Sequence, residues 1–281
     1  MGFPVGKASV ADLIIEVQRA LGWEQMASPF AYNNNPGDGL NHVLAALNWA
    51  SSDFLGKHPY REKCEMTAVL KGTNKIDYPS DYNSTICIKV DDENSNIWVR
   101  ATLVILQALT SATVKVGDLG VSLATNAYYI CTAASLAGSS WSISPYKPSQ
   151  YDLNLFEGNI RDLTDDVNDT GYPKLYVPMN DYIRFDVYAD SDYPMEHWYN
   201  AFDDPITVIS TNYSALQFWL QSRFGLVGSE LLKCGALHYI KKDMEEYAAA
   251  KIHEQDWIEA QIAVEMVHGN VGKQTVRITP F

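Results

Sequence analysis

Basic residues are scarce in this chain: 21 Lys and Arg stand against 34 Asp and Glu, a net charge of −13 over 281 residues. Proteins that grip nucleic acid neutralise phosphates with a basic face, so this balance argues against tight DNA binding. It leaves room for DNA passing nearby. An acidic wall repels the polymer, and copies arranged in a ring add their fields in a narrow channel. Cysteine is sparse too. Cys64, Cys87, Cys131 and Cys234 make no C-x-x-C pair, and their spacing fits neither a zinc site nor a disulfide framework. Free thiols agree with assembly in a reducing compartment. No apolar run has the length of a membrane span; the best, Val99 to Ala112, carries Thr102 and Gln107. The opening stretch MGFPVGKASVADLIIEVQRALGW lacks a basic region followed by an apolar one, so it is not expected to be a signal peptide.

What is present is ordinary globular material, with 47% apolar and 20% charged residues, so a packed core is expected and disorder is not. Tyr (17) and Trp (7) are plentiful, and rings with a polar handle suit half-buried surfaces and subunit contacts. Residues 9 to 22 read as a helix: Ser9 caps it, Asp12 completes a near capping box, and Val10, Leu13, Ile14, Val17 and Leu21 recur at helical spacing before Gly22. After the turn-rich AYNNNPGDG, Asp38 is expected to cap a second helix with Leu40, Val43, Leu44, Leu47 and Phe54 on one face and Gly56 at its end.

Beyond His58 the composition turns to Val, Ile, Thr and Tyr with Gly, Asn and Asp breaks. Strands are expected at 66–70, 86–90, 97–104, 113–116, 127–132, 175–177 and 183–188, with 99–109 ambiguous and 138–151 and 162–173 loop-like. Helical spacing returns with Ala215 to Leu220. A single long helix is expected over 229–267, about 57 Å at 1.5 Å per residue. Its stripe is Leu231, Leu232, Ala236, Ile240, Met244, Tyr247, Ile252, Trp257, Ile262 and Met266, with a kink at Gly235 and an end at Gly269. The expected fold class is therefore α+β: a helical bundle formed by both chain ends (1–60 plus 205–268), an inserted β-rich domain (61–204) and an extended C-terminal tail (269–281).

Motifs that carry a mechanism are missing: no phosphate-binding glycine loop, no dinucleotide fingerprint, no H-E-x-x-H and no G-x-S-x-G. Cys234 and His238 share a helix face, but no second pair completes a zinc site. Asp162, Asp165, Asp166 and Asp169 have the wrong spacing for a calcium loop and read as a solvated acidic stretch. Glu196 and His197 beside Trp198 and Tyr199 could imitate a sugar site, though an aromatic packing cluster is the simpler reading. The final residues have a more specific physical reading. An extended tail can add as a strand to a neighbour's sheet, with Val276 and Ile278 entering pockets, Phe281 as anchor, and Lys273 and Arg277 on an acidic rim. The alternative is a terminus with no fixed structure.

Several segments resemble the head-to-tail adaptor (connector, tail accessory or head-completion) proteins of tailed bacteriophages. Ala20-Leu21-Gly22 closes the first helix as that family's opening helix closes. Leu44 to Asn48 is similar to the Leu-x-x-Leu-Asn core of its second helix. Tyr78-Pro79-Ser80-Asp81-Tyr82 resembles its Y-x-L-P-x-D-Y turn without the Leu. Gly171-Tyr172-Pro173, Leu175-Tyr176 and the 183–188 strand resemble its hairpin. Residues 97–151 have no counterpart there.

The resemblance implies a structural virion protein, not an enzyme, with no cofactor and no metal. It implies a self-assembled ring, a dodecamer in that family, between the portal protein and a downstream tail or nozzle protein, with DNA passing through unbound. It also implies assembly in the host cytoplasm, a place at the virion's head–tail interface, and no membrane contact. The tail residues Lys273, Val276, Arg277, Ile278 and Phe281 would then meet the portal. Rival readings are another tail-tube or tail-knob subunit, or a carbohydrate-binding module or glycosidase, which predicts an aromatic cleft with a raised-pKa carboxylate.

Overall fold

The computed structural model describes residues 9–23, 39–91, 97–158, 163, 167–207 and 216–274. The chain divides into two compact units, one of Met1–Arg61 with Phe202–Phe281 and one of Glu62–Ala201.

In the first unit, α1 (Val10–Ala20) begins at a full capping box. Asp12 N–H donates to Ser9 Oγ at 3.2 Å, and Ser9 N–H donates to the Asp12 carboxylate at 2.8 Å. Those hydrogen bonds hold the Asp12 carboxyl below its usual range and satisfy orphan donors of the first turn. α2 (Gly39–Lys57) buries Val43, Leu44, Leu47, Ala50 and Phe54; its expected cap, Asp38, lies outside the described residues. Later in the chain come α4 (Trp219–Phe224), α5 (Leu226–Asp243) and α6 (Tyr247–Gln274), numbered so because α3 lies in the second unit. Residues of all five helices share one apolar core, with Phe54, Leu231, Leu232, Trp257 and Val264 among its members.

The expected helical bundle formed by both chain ends is not what forms. The molecule is mixed α+β with six helices and four sheets among the described residues. α1 has 11 residues and α4 six, against 28 for α6. At 1.5 Å per residue that is about 17 and 9 Å against 42 Å, too short to run alongside it as bundle partners.

The single 229–267 helix is also corrected. It starts at Leu226 and breaks after Asp243, where Glu245 takes φ +60°, and α6 folds back on α5. A continuous rod would leave both apolar faces in water; the break lets Leu231, Ala236 and Ile240 share a core with Trp257 and Val264. Gly235 marks no kink. A Cβ there would come 2.7 Å from Ala50 Cβ and 2.9 Å from Trp257 Nε1, so its bareness lets α2, α5 and α6 meet closely. The helix does not end at Gly269 either, since 269–274 continue it.

A second anchor in this unit comes from Asn48, whose amide exchanges two 2.9 Å hydrogen bonds with the backbone of Ile206. Asp203, 7% exposed at its side chain, accepts from Ser51 Oγ at 2.7 Å and pairs with Arg61 at 3.1 Å. These contacts pin 202–206 to α2.

The second unit holds the β-rich block. One antiparallel sheet has the order β1 (Glu62–Val69), β14 (Tyr193–Ala201), β3 (Tyr82–Asp91), β8 (Gln150–Asp152). A mixed sheet runs β2 (Lys75–Asp77), β12 (Tyr182–Phe185), β11 (Leu175–Pro178), β9 (Asn154–Leu155), and the short β10 (Thr170–Gly171) pairs with β13 (Tyr188–Ala189). The third four-stranded sheet is β4 (Ile97–Arg100), β5 (Leu119–Ser122), β6 (Ala127–Ser135), β7 (Gly138–Ile143).

β4 and β5 are parallel, so the chain must cross over between them, and it does so through α3 (Leu103–Gln107). The ambiguous 99–109 run is therefore strand then helix. Thr102 caps α3, and the Leu106 carbonyl accepts from Trp141 Nε1 at 2.8 Å and Ser139 Oγ at 2.9 Å. The expected strand at 113–116 is instead turn and coil. The expected loop at 138–151 contains β7 and most of β8, because Gly138 at φ +140° closes a hairpin and Trp141 packs opposite Cys131.

Candidate functional site

The residues expected to form the docking strand fall mostly outside the described structure. Lys273 lies in the last turn of α6, so the extended tail expected from 269 is corrected to helix as far as Gln274. Val276, Arg277, Ile278 and Phe281 lie outside the described residues.

The strongest concentration of buried charge sits on the β1–β14–β3–β8 sheet. Asp91, 1% exposed, accepts from Tyr128 O–H at 2.7 Å and from the Gln150 amide at 3.0 Å through one oxygen. Its other oxygen, Oδ2, has no hydrogen-bond partner among the described residues. Burial pushes the Asp91 carboxyl up to about 6, against the pull of those two donors and with a push from Glu196. Glu196, 3% exposed, behaves differently. Burial pushes it up as well, but Lys147 at 2.6 Å, Trp198 Nε1 at 3.3 Å and the Gln150 amide outweigh that and hold it below the usual range. The same environment raises the Cys64 thiol to about 11, burial first and Glu196 next, so Cys64 is no nucleophile at neutral pH. The site thus splits two carboxyls: one half-protonated near pH 6, one ionised.

Neighbouring residues of a strand face opposite sides, so Glu196 and His197 cannot act as one pair. Glu196 shares its face with Trp198. His197 shares its own with Tyr199 and packs near Tyr82, its Nε2 3.1 Å from Thr85 Oγ1. Burial lowers His197 to about 4, which keeps it neutral. On that face the Tyr78 and Tyr82 rings stack at 3.8 Å, Tyr199 O–H donates to Asp81 at 3.0 Å, and Lys63 pairs with the same carboxylate. The Tyr78 to Tyr82 turn is therefore a stitched aromatic corner.

Beside Asp91 opens a polar cleft of about 580 Å³, which Lys71, Trp98, Arg100, Lys115, Asp118 and Asp192 help to line. Two of its half-buried acids already accept backbone hydrogen bonds: Asp118 from Lys115 N–H at 2.8 Å within a turn, and Asp192 from Lys71 N–H at 2.9 Å across the fold. Arg100 lies over the Trp98 ring at 5.6 Å. Glu196 is not part of the lining, so the two unlike carboxyls do not face one cleft as acid and base. Elsewhere, Cys234 contacts Glu230 and His238 Nδ1 meets the Ala250 carbonyl at 2.9 Å, so each already has a protein partner. Among the described residues no three His, Cys, Asp or Glu side chains cluster as metal ligands, and no described helix is long and apolar enough to cross a membrane.

The helical unit offers a surface instead of a chemical site. α6 buries Ala250, Trp257, Ala260 and Val264 on one face. Its outer face leaves Tyr247, Ile252, Ile258, Ile262 and Met266 between 48% and 66% exposed. The sequence reading merged Tyr247, Ile252, Ile262 and Met266 with the buried Trp257 into a single stripe and passed over Ile258. Period alone cannot separate two apolar faces; apolar residues all round the helix were the available signal. Sequence reasoning also missed Asp91, Tyr128, Gln150 and Lys147, which strand pairing brings together from distant positions. No protein-family model matches the chain, and no curated protein matches it.

Proposed function

We propose that this chain is a non-catalytic structural subunit of a tailed-phage virion, part of the oligomeric ring that links the portal to the tail. One observation carries the reading. A 28-residue helix near the C-terminus turns a row of large apolar side chains to solvent, although its other face is fully used in the core. Exposed contiguous apolar surface of this kind marks a protein–protein interface. The net charge of −13 supports a channel that lets DNA pass without holding it. The adaptor-like segments at 20–22, 44–48, 78–82 and 171–188 narrow the class from an assembly subunit to a head–tail ring in the virion, built in the host cytoplasm, with the portal above it and a tail or nozzle protein below.

The test is native mass measurement of the purified chain alone and mixed with its portal protein. Portal-bound multimers are expected. A chain that stays monomeric and unbound in the presence of portal overturns the reading. Removing residues 275–281 is expected to weaken attachment while the melting curve of the subunit is unchanged, as a docking tail would require. The rival carbohydrate-binding or glycosidase reading has one observation in its favour, the raised Asp91 carboxyl beside a polar cleft. Against it, Glu196, the buried carboxylate that Lys147 keeps ionised, does not line that cleft.

A further inference from the structure

The cleft of about 580 Å³ beside Asp91 lies within the β-rich unit, where Lys71, β4, the 113–118 segment and the 191–194 corner converge. Its volume falls in the ~300–1,000 Å³ range of small-molecule sites. Charge in it balances: Lys71, Arg100 and Lys115 face Asp91, Asp118 and Asp192. A ligand with net charge therefore meets as many like charges as opposite ones. A neutral ligand rich in hydroxyls can use both kinds, because each hydroxyl donates one hydrogen bond and accepts others. Half-buried Trp98 adds apolar ring surface to the wall. Asp91 shows what the ligand must offer. Tyr128 and Gln150 both donate to Oδ1, while Oδ2 of this 1% exposed residue has no hydrogen-bond partner among the described residues. A buried acceptor without a donor is costly, and a donor brought into the cleft removes that cost.

We infer that this cleft binds a neutral saccharide, one hydroxyl donating to Asp91 Oδ2, others bonded to the Lys, Arg and Asp side chains around it, and ring carbons against Trp98. Saccharides combine the two properties the walls ask for: closely spaced hydroxyls along the edges and an apolar C–H face. An extended peptide matches them less well, since its backbone brings one donor and one acceptor per residue, at wider spacing. An anion such as phosphate is drawn by Lys71, Arg100 and Lys115 but repelled by the three carboxyls, and an amine meets the reverse. The site adds a binding role to a non-catalytic subunit. It belongs to the β-rich unit and does not depend on the reading of the chain as part of a ring.

The experiment uses the full chain at neutral pH. Saturation-transfer NMR and calorimetric titration are run with maltose, lactose, mannobiose, rhamnose and N,N′-diacetylchitobiose, and with the uronate and amino-sugar analogues of whichever binds. Binding of a neutral probe more tightly than of its charged analogues is expected. Asp91→Asn should weaken it about tenfold or more. Tyr128 and Gln150 hold the remaining oxygen of that variant, so its amide nitrogen takes the place of Oδ2 and turns an acceptor into a donor. Should Asp91→Asn fail to fold, Lys71→Ala/Lys115→Ala, at two exposed positions, takes its place. It leaves the carboxyls in excess, so it should weaken the neutral probe and shift preference to the amino sugar. No transfer to any neutral probe, tighter binding of a charged analogue by the unsubstituted chain, or unchanged affinity in the folded variant overturns the inference. Multimers with the portal are read separately, so the ring reading stands or falls on its own result.

Discussion

The two units solve the problem of burial in opposite ways. Among the described residues the helical unit has one apolar core, the polar residues buried with it, Ser9, Gln18, Ser51, Gln221 and Ser229, are all neutral, and α6 keeps large apolar side chains on its outside. The β-rich unit divides its core into three separate clusters and buries Asp91, Glu196 and His197, each held by specific partners. A continuous core tolerates imprecise matching, whereas buried charges are stable only in one arrangement. The difference teaches what each unit depends on: the helical one on filling a shared apolar core, the β-rich one on particular partners for its buried charges.

Four measurements break or sharpen that contrast. The largest effect is expected from Phe54→Ala, which empties a fully buried position of the helical core and should cost about 4 kcal/mol. Amide hydrogen exchange should speed up across α1, α2, α5 and α6; equal loosening of β3 and β14 would deny the units their independence.

Next comes pH. Asp91 is raised from 3.8 to about 6, so the folded state binds a proton between those values that the unfolded state does not, and stability falls as pH rises through that window. His197 is lowered from 6.5 to about 4, so the unfolded state binds the extra proton, and stability falls as pH drops through its window. Each term is about 3 kcal/mol, and the two oppose one another. Asp91→Asn removes the first. Relative to the unsubstituted chain, the variant should lose about 3 kcal/mol of stability on going from pH 6.5 to 4, read by denaturant unfolding at each pH. Parallel curves would show that Asp91 titrates normally.

Lys147→Ala should cost about 2 kcal/mol. It leaves the buried Glu196 without its cation, but the Lys147 side chain is 62% exposed and water screens part of the loss. Lys147→Arg should recover most of it. The smallest effect on folding is expected from Ile262→Ser, within about 0.5 kcal/mol, because the side chain faces solvent. A large loss of stability there would place Ile262 in the subunit's own core.

Much of the local structure was legible. Ser9 and Asp12 announced the start of α1, the spacing of Val43, Leu47 and Phe54 gave the buried face of α2, and the run at 86–90 lies within β3, while of the run at 183–188 only the part up to Phe185 belongs to β12. These are short-range effects: caps, periods and side-chain shape act within a few residues. The pairing of Asp91 with Tyr128 and Gln150 was not legible, because it depends on which strands lie side by side.

By itself the sequence determined an acidic chain with helices at both ends, a β-rich middle, and no motif for known catalysis. Tertiary structure alone decided where the long C-terminal helix breaks, why Gly235 is bare, and which of α6's two apolar faces is spent on the core. The reason is physical. An apolar side chain is drawn out of water in no particular direction, so its sequence position fixes that it must be covered but not by what.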